Sequence, residues 1–207
     1  MAEAMKDWAL KYAEIGLAVF PLKPKDKRPA TENGCKAATI NKQQIEAWWD
    51  RYPDYNIGIA TGSVSGGLVV IDLDVDEEKG VNGYESLTAW QKENGELPET
   101  WTSITGRGGY HYIYKDGATN RNRAGLYDGV DIRGEGGYIV APPSIHPNGR
   151  QYEWEQGPGD CEIAQADNRV MNFIMGPAPE DWEKQTFQEP EVIPKGERTN
   201  SMIRLIG

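Results

Sequence analysis

The hydrophobic pattern is densest over residues 67–76, Gly-Leu-Val-Val-Ile-Asp-Leu-Asp-Val-Asp, where an apolar, mostly β-branched run leads into acidic residues at every second position. The run predicts a buried strand. Side chains two apart in a strand share a face, about 6–7 Å apart along it. Asp72, Asp74 and Asp76 are therefore expected on one side, with Leu73 and Val75 packed on the other. Around this strand the spacing changes several times. Trp8, Ala9, Tyr12, Ala13 and Ile15 predict a helix over 7–16, stopped by Gly16. Residues 17–22 read as a strand. Thr39 is the expected cap of a helix over 41–51 that buries Ile45, Trp48 and Trp49. Residues 56–61 form a strand, and Leu87 and Trp90 place a helix over 84–94, ended near Gly95.

Further on, a glycine-rich turn (Gly106-Arg107-Gly108-Gly109) separates two strand-like runs within 102–114, with His111 just after it. Residues 129–144 are expected to repeat that arrangement. There Val130-Asp131-Ile132-Arg133 precedes the turn 134–137, and Tyr138-Ile139-Val140-Ala141 follows it. A closing strand is expected over 151–155. From residue 176 proline and acidic residues dominate and predict a linker over 176–196. Residues 197–207 begin an amphipathic helix.

Clustered carboxylates repel one another unless a cation or a proton lies between them. The aspartate run is thus either a divalent-metal site or a solvated turn after a strand ending at Ile71. Removing Asp72 or Asp74 is expected to relieve repulsion. An EF-hand is excluded, because Glu77 stands where that loop needs glycine and Gly83 where it needs glutamate. Asp131, between apolar residues, has to be paired or metal-bound. Glycines let backbone N–H groups approach a phosphate, and an arginine offers a planar donor fork. No helix follows the turn, against a dinucleotide fingerprint, and no GK[ST] supports a P-loop. His111 fits either a nucleotide contact or an ordinary structural histidine. Lys23, Lys25, Lys27 and Arg28 form a basic loop that is either solvated or a phosphate or template contact.

Composition narrows the class. The 207 residues carry a net charge of −10, which argues against indiscriminate nucleic-acid binding but not against a local basic groove. No apolar run approaches the roughly 20 residues of a membrane span. No secretory leader pattern opens the chain, so a cytoplasmic address is expected. Cys35 and Cys161 are isolated, and His111 and His146 are far from them in sequence, so no zinc site is expected.

Taken together, the motifs resemble the bifunctional primase-polymerase (prim-pol) domain of the archaeo-eukaryotic primase superfamily, carried on phage and plasmid replication proteins. Ile71-Asp72-Leu73-Asp74 resembles its first motif and Gly106 to His111 its second. Val130 to Gly134, with Gly136-Gly137-Tyr138 and Pro142-Pro143-Ser144, resembles its third. The resemblance implies an α/β archaeo-eukaryotic primase fold. In it, a catalytic sheet like that of the RNA-recognition motif (RRM-like) packs with an N-terminal α/β unit, and the active cleft lies between them. It implies a catalytic domain over 1–175, followed by the linker and the start of a helical domain. Asp72, Asp74 and Asp131 would be catalytic ligands of two Mg²⁺ or Mn²⁺ ions. Arg107, His111, Gly108, Gly109, Arg133 and Ser144 would meet the nucleotide, and Lys23, Lys25, Lys27 and Arg28 the template. The implied enzyme is a DNA-directed nucleotidyltransferase using (d)NTPs on single-stranded DNA, with a fused or associated helicase left open. A non-catalytic origin- or partner-binding module and a metal-dependent phosphodiesterase are the competing readings.

Overall fold

The apolar run that leads into the aspartates is a strand, and it sits in the middle of a six-stranded antiparallel sheet. The computed structural model describes residues 4–115 and 121–176. The expected linker beyond Gly176 and the helix over 197–207 lie outside the described residues. In chain order the elements are α1 (Met5–Glu14), β1 (Val19–Leu22), α2 (Lys42–Arg51), β2 (Asn56–Ala60), β3 (Leu68–Leu73), β4 (Val75–Asp76), β5 (Val81–Asn82) and α3 (Gly83–Asn94). Then follow β6 (Thr102–Ile104), β7 (Tyr110–Lys115), β8 (Arg123–Tyr127), β9 (Val130–Arg133), β10 (Tyr138–Ala141), β11 (Glu153–Gln156) and α4 (Asn168–Met175). One sheet runs β1-β2-β10, the other β11-β6-β7-β3-β9-β8, and β4 pairs only with β5.

Strand β3 shows how alternation distributes the core. Leu68 and Val70 pack with Ala9, Tyr12, Trp49, Ile57 and Ile59 from α1, α2 and β2. Val69, Ile71 and Leu73 pack on the opposite face with Leu87 of α3 and Val170, Phe173 and Ile174 of α4. Period-2 side chains buried on both faces explain why the strand reads as a continuous apolar run. Asp72 belongs to the Leu68–Val70 face, so one face of β3 passes from core to carboxylate within a single strand step. The strand runs on to Leu73, which rules out its ending at Ile71.

Several local expectations change. Ile15 follows α1 and is 49% exposed, because the buried stripe is Ala9, Tyr12 and Ala13. Asn41, not Thr39, caps α2: its Oδ1 accepts from the Gln44 N–H at 3.0 Å, while Thr39 Oγ1 accepts from the Asn41 N–H. Trp49 is fully buried, while Trp48 is half-buried on a broad groove of about 890 Å³ beside Tyr52 and Tyr55. Val75 is only half-buried and Asp76 lies on the β4–β5 ribbon, away from the other aspartates.

The expected repeat of the glycine-turn hairpin does not occur. β6 and β7 do form a hairpin, with Ile104 opposite Tyr110. The turn 134–137 instead carries the chain from β9 in the large sheet to β10 in the small one. Its ends are tied down: Thr61 Oγ1 donates to the Gly134 carbonyl at 2.6 Å, the Thr61 N–H to the Gly137 carbonyl at 3.0 Å, and the Gly134 N–H to Asn122 Oδ1 at 2.8 Å. Among the described residues no helix is long and apolar enough to cross a membrane.

Candidate active site

Strand pairing gathers the site. Asp72 lies directly opposite His111 on β7 and directly opposite Asp131 on β9, so three polar side chains stand in a row across neighbouring strands. Asp74 follows two residues beyond Asp72, just past the end of β3. One oxygen from each of Asp72, Asp74 and Asp131 can be chosen so that all lie within 4.8 Å of one another. These residues are buried, exposed and half-buried respectively. Among the described residues this is the cluster that could hold a metal ion.

The three carboxylates are partnered very differently. Asp72 Oδ2 accepts from Arg133 Nε at 3.1 Å and Nη2 at 2.9 Å, and its Oδ1 faces His111 Nε2 at 3.4 Å. Burial alone would raise the Asp72 carboxyl, but His111 and Arg133 outweigh it and hold the group at about 2. Asp131 accepts from Arg133 Nη2 and from the Gly125 N–H, both at 2.8 Å. Asp74 accepts no side-chain hydrogen bond from the described residues. Partial burial and then the charge of Asp72 push its carboxyl up, against the pull of Lys27. An unpaired carboxylate aimed at two others is the donor set that a hard divalent cation fits. The pairing also changes the expectation that losing Asp72 relieves repulsion: its removal takes a shared partner from Arg133 and His111, leaving Arg133 to Asp131 and His111 to Ser103.

A cavity of about 330 Å³ opens over the cluster, lined by Lys27, Asp72, Asp74, Arg107, His111 and Arg133, with Asn122, Tyr138 and Tyr152 among its other walls. It draws side chains from both sheets. His111 is buried, its Nδ1 lies 3.2 Å from Ser103 Oγ, and its ring stacks at 6.1 Å on Tyr152. Arg107 stands at the turn with an exposed guanidinium, 3.3 Å from Asp76.

The remaining sequence-level candidates separate. The N–H of Gly108 donates to the Thr105 carbonyl at 2.9 Å and that of Gly109 to Thr105 Oγ1 at 3.0 Å. Both N–H groups are engaged within the turn rather than turned to the cavity as free donors. Gly108 has φ +87°, and a Cβ on Gly109 would stand 2.1 Å from the Leu73 carbonyl oxygen, so the hairpin itself demands glycine there. Ser144 is fully buried, accepts from the Ile57 N–H at 2.9 Å and is absent from the cavity lining, so its hydroxyl fixes backbone here. Of the basic loop only Lys27 lines the cavity. Arg28 Nε is bound to Asp26 at 2.6 Å. Arg123 donates to the Ile174 carbonyl at the end of α4 and so serves the fold. Tyr152 and Asn122 escape motif reading, because only the folded chain brings them to the carboxylates.

A family model described as bifunctional DNA primase/polymerase, N-terminal, matches residues 9–169. No curated protein matches the chain.

Proposed function

The chain belongs to the bifunctional DNA primase/polymerase N-terminal domain family, and on that premise we propose that it adds nucleotides from (d)NTPs to a 3′-hydroxyl on a single-stranded DNA template, in phage or plasmid replication. Membership ties the chain to primase and polymerase chemistry. The observation that carries the finer reading is the carboxylate cluster of Asp72, Asp74 and Asp131, two of whose members line one cavity with Lys27, Arg107, His111 and Arg133. Carboxylates and cationic side chains gathered at one cavity suit a metal-bound triphosphate better than a simple phosphodiester.

In this reading Asp72, Asp74 and Asp131 hold two Mg²⁺ or Mn²⁺ ions. Bound there, such ions would neutralise phosphate charge and favour the ionised 3′-hydroxyl. The new bond joins the 3′-oxygen to the α-phosphorus, pyrophosphate leaves, and the hydroxyl proton passes to solvent. Arg107 and Lys27 bind triphosphate oxygens from the rim, as guanidinium and ammonium groups do. His111, fixed by Ser103 and Tyr152, orients Asp72 at the wall of the nucleotide cavity. The large sheet is the RRM-like catalytic layer, and the cavity against the small sheet is the active cleft. The catalytic domain closes at α4.

The test is incubation of labelled, templated primer with Mg²⁺ or Mn²⁺, with and without dNTPs, beside an unprimed template. Extension dependent on dNTPs supports the proposal. Shortening of the primer without nucleotides would indicate a phosphodiesterase, and an unchanged primer a non-catalytic module.

A further inference from the structure

Arg133 stands among the same carboxylates that the proposed function assigns to divalent ions. Its Nη2 is 2.9 Å from Asp72 Oδ2 and 2.8 Å from Asp131 Oδ2, and its Nε is 3.1 Å from the Asp72 oxygen. With His111 on the other oxygen of Asp72, both oxygens of the most buried ligand are already engaged. A cation entering the cluster must share or take an oxygen that Arg133 now holds. A guanidinium does not deprotonate in a protein, so it cannot give way by losing its charge. It gives way by moving. Its side chain is 33% exposed, and it lines the cavity with Arg107 and Lys27. The same planar fork that grips two carboxylates matches the oxygens of a phosphate.

We infer that Arg133 is a resident cation exchanged between the carboxylate cluster and the triphosphate, so that it couples divalent-ion binding to nucleotide binding. The inference rests on the reading of Asp72, Asp74 and Asp131 as metal ligands and adds a role for a residue that is not itself one. Without ligands, Arg133 neutralises Asp72 and Asp131 and keeps them in register across β3 and β9. When nucleotide and metal enter together, the phosphates offer the guanidinium an equivalent partner and the carboxylates are released. Metal alone offers it none. The empty enzyme therefore holds divalent ions weakly, and nucleotide strengthens them by more than its own phosphate ligation supplies. Linkage requires the converse: metal strengthens nucleotide through the same residue.

The experiment is titration of Mn²⁺, followed through the resonance signal of the free ion, into the unaltered protein, Arg133→Gln and Asp74→Asn, with and without a non-hydrolysable dNTP. Without nucleotide, Arg133→Gln should bind Mn²⁺ on the order of tenfold more tightly than the unaltered protein, and the tightening caused by nucleotide should shrink. Equal or weaker Mn²⁺ binding by Arg133→Gln, beside normal binding by the unaltered protein, overturns the exchange role alone. Mn²⁺ binding unaffected by Asp74→Asn, or absent from every protein, overturns the metal reading and the exchange with it. Should Arg133→Gln fail to fold, the Nε–H resonance of Arg133 in the unaltered protein decides. It should shift when Mg²⁺ and nucleotide are added together, and a resonance that stays in place overturns the exchange.

Discussion

Asp72 and His111 face each other across paired strands, with His111 Nε2 3.4 Å from Asp72 Oδ1. Arg133 takes the other oxygen, so a buried carboxylate is held between a guanidinium and an imidazole. Its folded carboxyl, at about 2, lies below the roughly 3.9 of an unfolded aspartate. A depressed acid contributes stability that is present above the unfolded value and lost as pH falls through the folded one. The metal-free protein should therefore lose on the order of 2 kcal/mol from this group between about pH 4 and pH 2. Urea unfolding across that range should show the loss. In Asp72→Asn this part of the slope should vanish, at a cost of about 1–3 kcal/mol at neutral pH. An unaltered pH slope in the variant would remove Asp72 as its source.

Asp74 should behave oppositely. Its carboxyl is pushed up by partial burial and by Asp72, so the ionised form weakens the fold above the raised value, and stability is regained as pH falls. Asp74→Asn should stabilise the metal-free protein at neutral pH, by about 1 kcal/mol or less because solvent screens an exposed group. Thermal melting with and without Mg²⁺ checks this. The unaltered protein should gain stability on adding the ion and the variant should gain less.

What could be read from the sequence follows from where the information is local. The β-branched run 69–71 declares β3, and strand period places Asp72 and Asp74 on one side. The opposition of Asp72 to His111 and Asp131 is a register between strands far apart in the chain, which no local pattern carries. The same holds for Arg133, an expected nucleotide contact that the register places on the aspartates. Two glycine-rich turns look alike in sequence, yet one closes a hairpin and the other changes sheets, because Thr61 and Asn122 capture the second. Helix α4 was not among the elements read from the sequence, although its signals are local. Asp167 caps it, and Val170, Phe173 and Ile174 follow at helical spacing. Strand β8, at the sheet edge with Gly125 inside it and its first three residues all exposed, offers no such pattern.

The glycine turn gives a prediction that separates architecture from ligand binding. Gly109→Ala forces a Cβ against the Leu73 carbonyl, at the point where the chain leaves β3 for Asp74. It should cost about 1–3 kcal/mol. Gly108→Ala meets no neighbouring atom but is strained at φ +87°, and should cost about 1–2 kcal/mol. Because the Gly108 N–H is already bound within the turn, Gly108→Ala should leave the folded protein's nucleotide affinity unchanged. A large loss of affinity without loss of stability would return that N–H to phosphate binding.

The basic loop should divide by function. Lys27 lines the cavity beside Asp74, so Lys27→Ala should weaken nucleotide binding. Lys23 and Lys25 lie outside the cavity lining, and Arg28 is held by Asp26. If Lys23 and Lys25 carry the template, the double change to alanine should flatten the salt dependence of single-strand binding by about 1.4 in log–log slope. Fluorescence anisotropy over a salt series measures it. An unchanged slope would move the template surface to another face.

The central claim is that Asp72, Asp74 and Asp131 form one nucleotidyl-transfer centre. Its most direct measurement is single-nucleotide addition to a templated primer in Mg²⁺ or Mn²⁺ by the unaltered protein, Asp74→Asn and Asp131→Asn, each first shown to be folded and to bind single-stranded DNA. The account predicts addition by the unaltered protein and background levels in both variants, with DNA binding retained. Addition at the unaltered rate by either folded variant would contradict it.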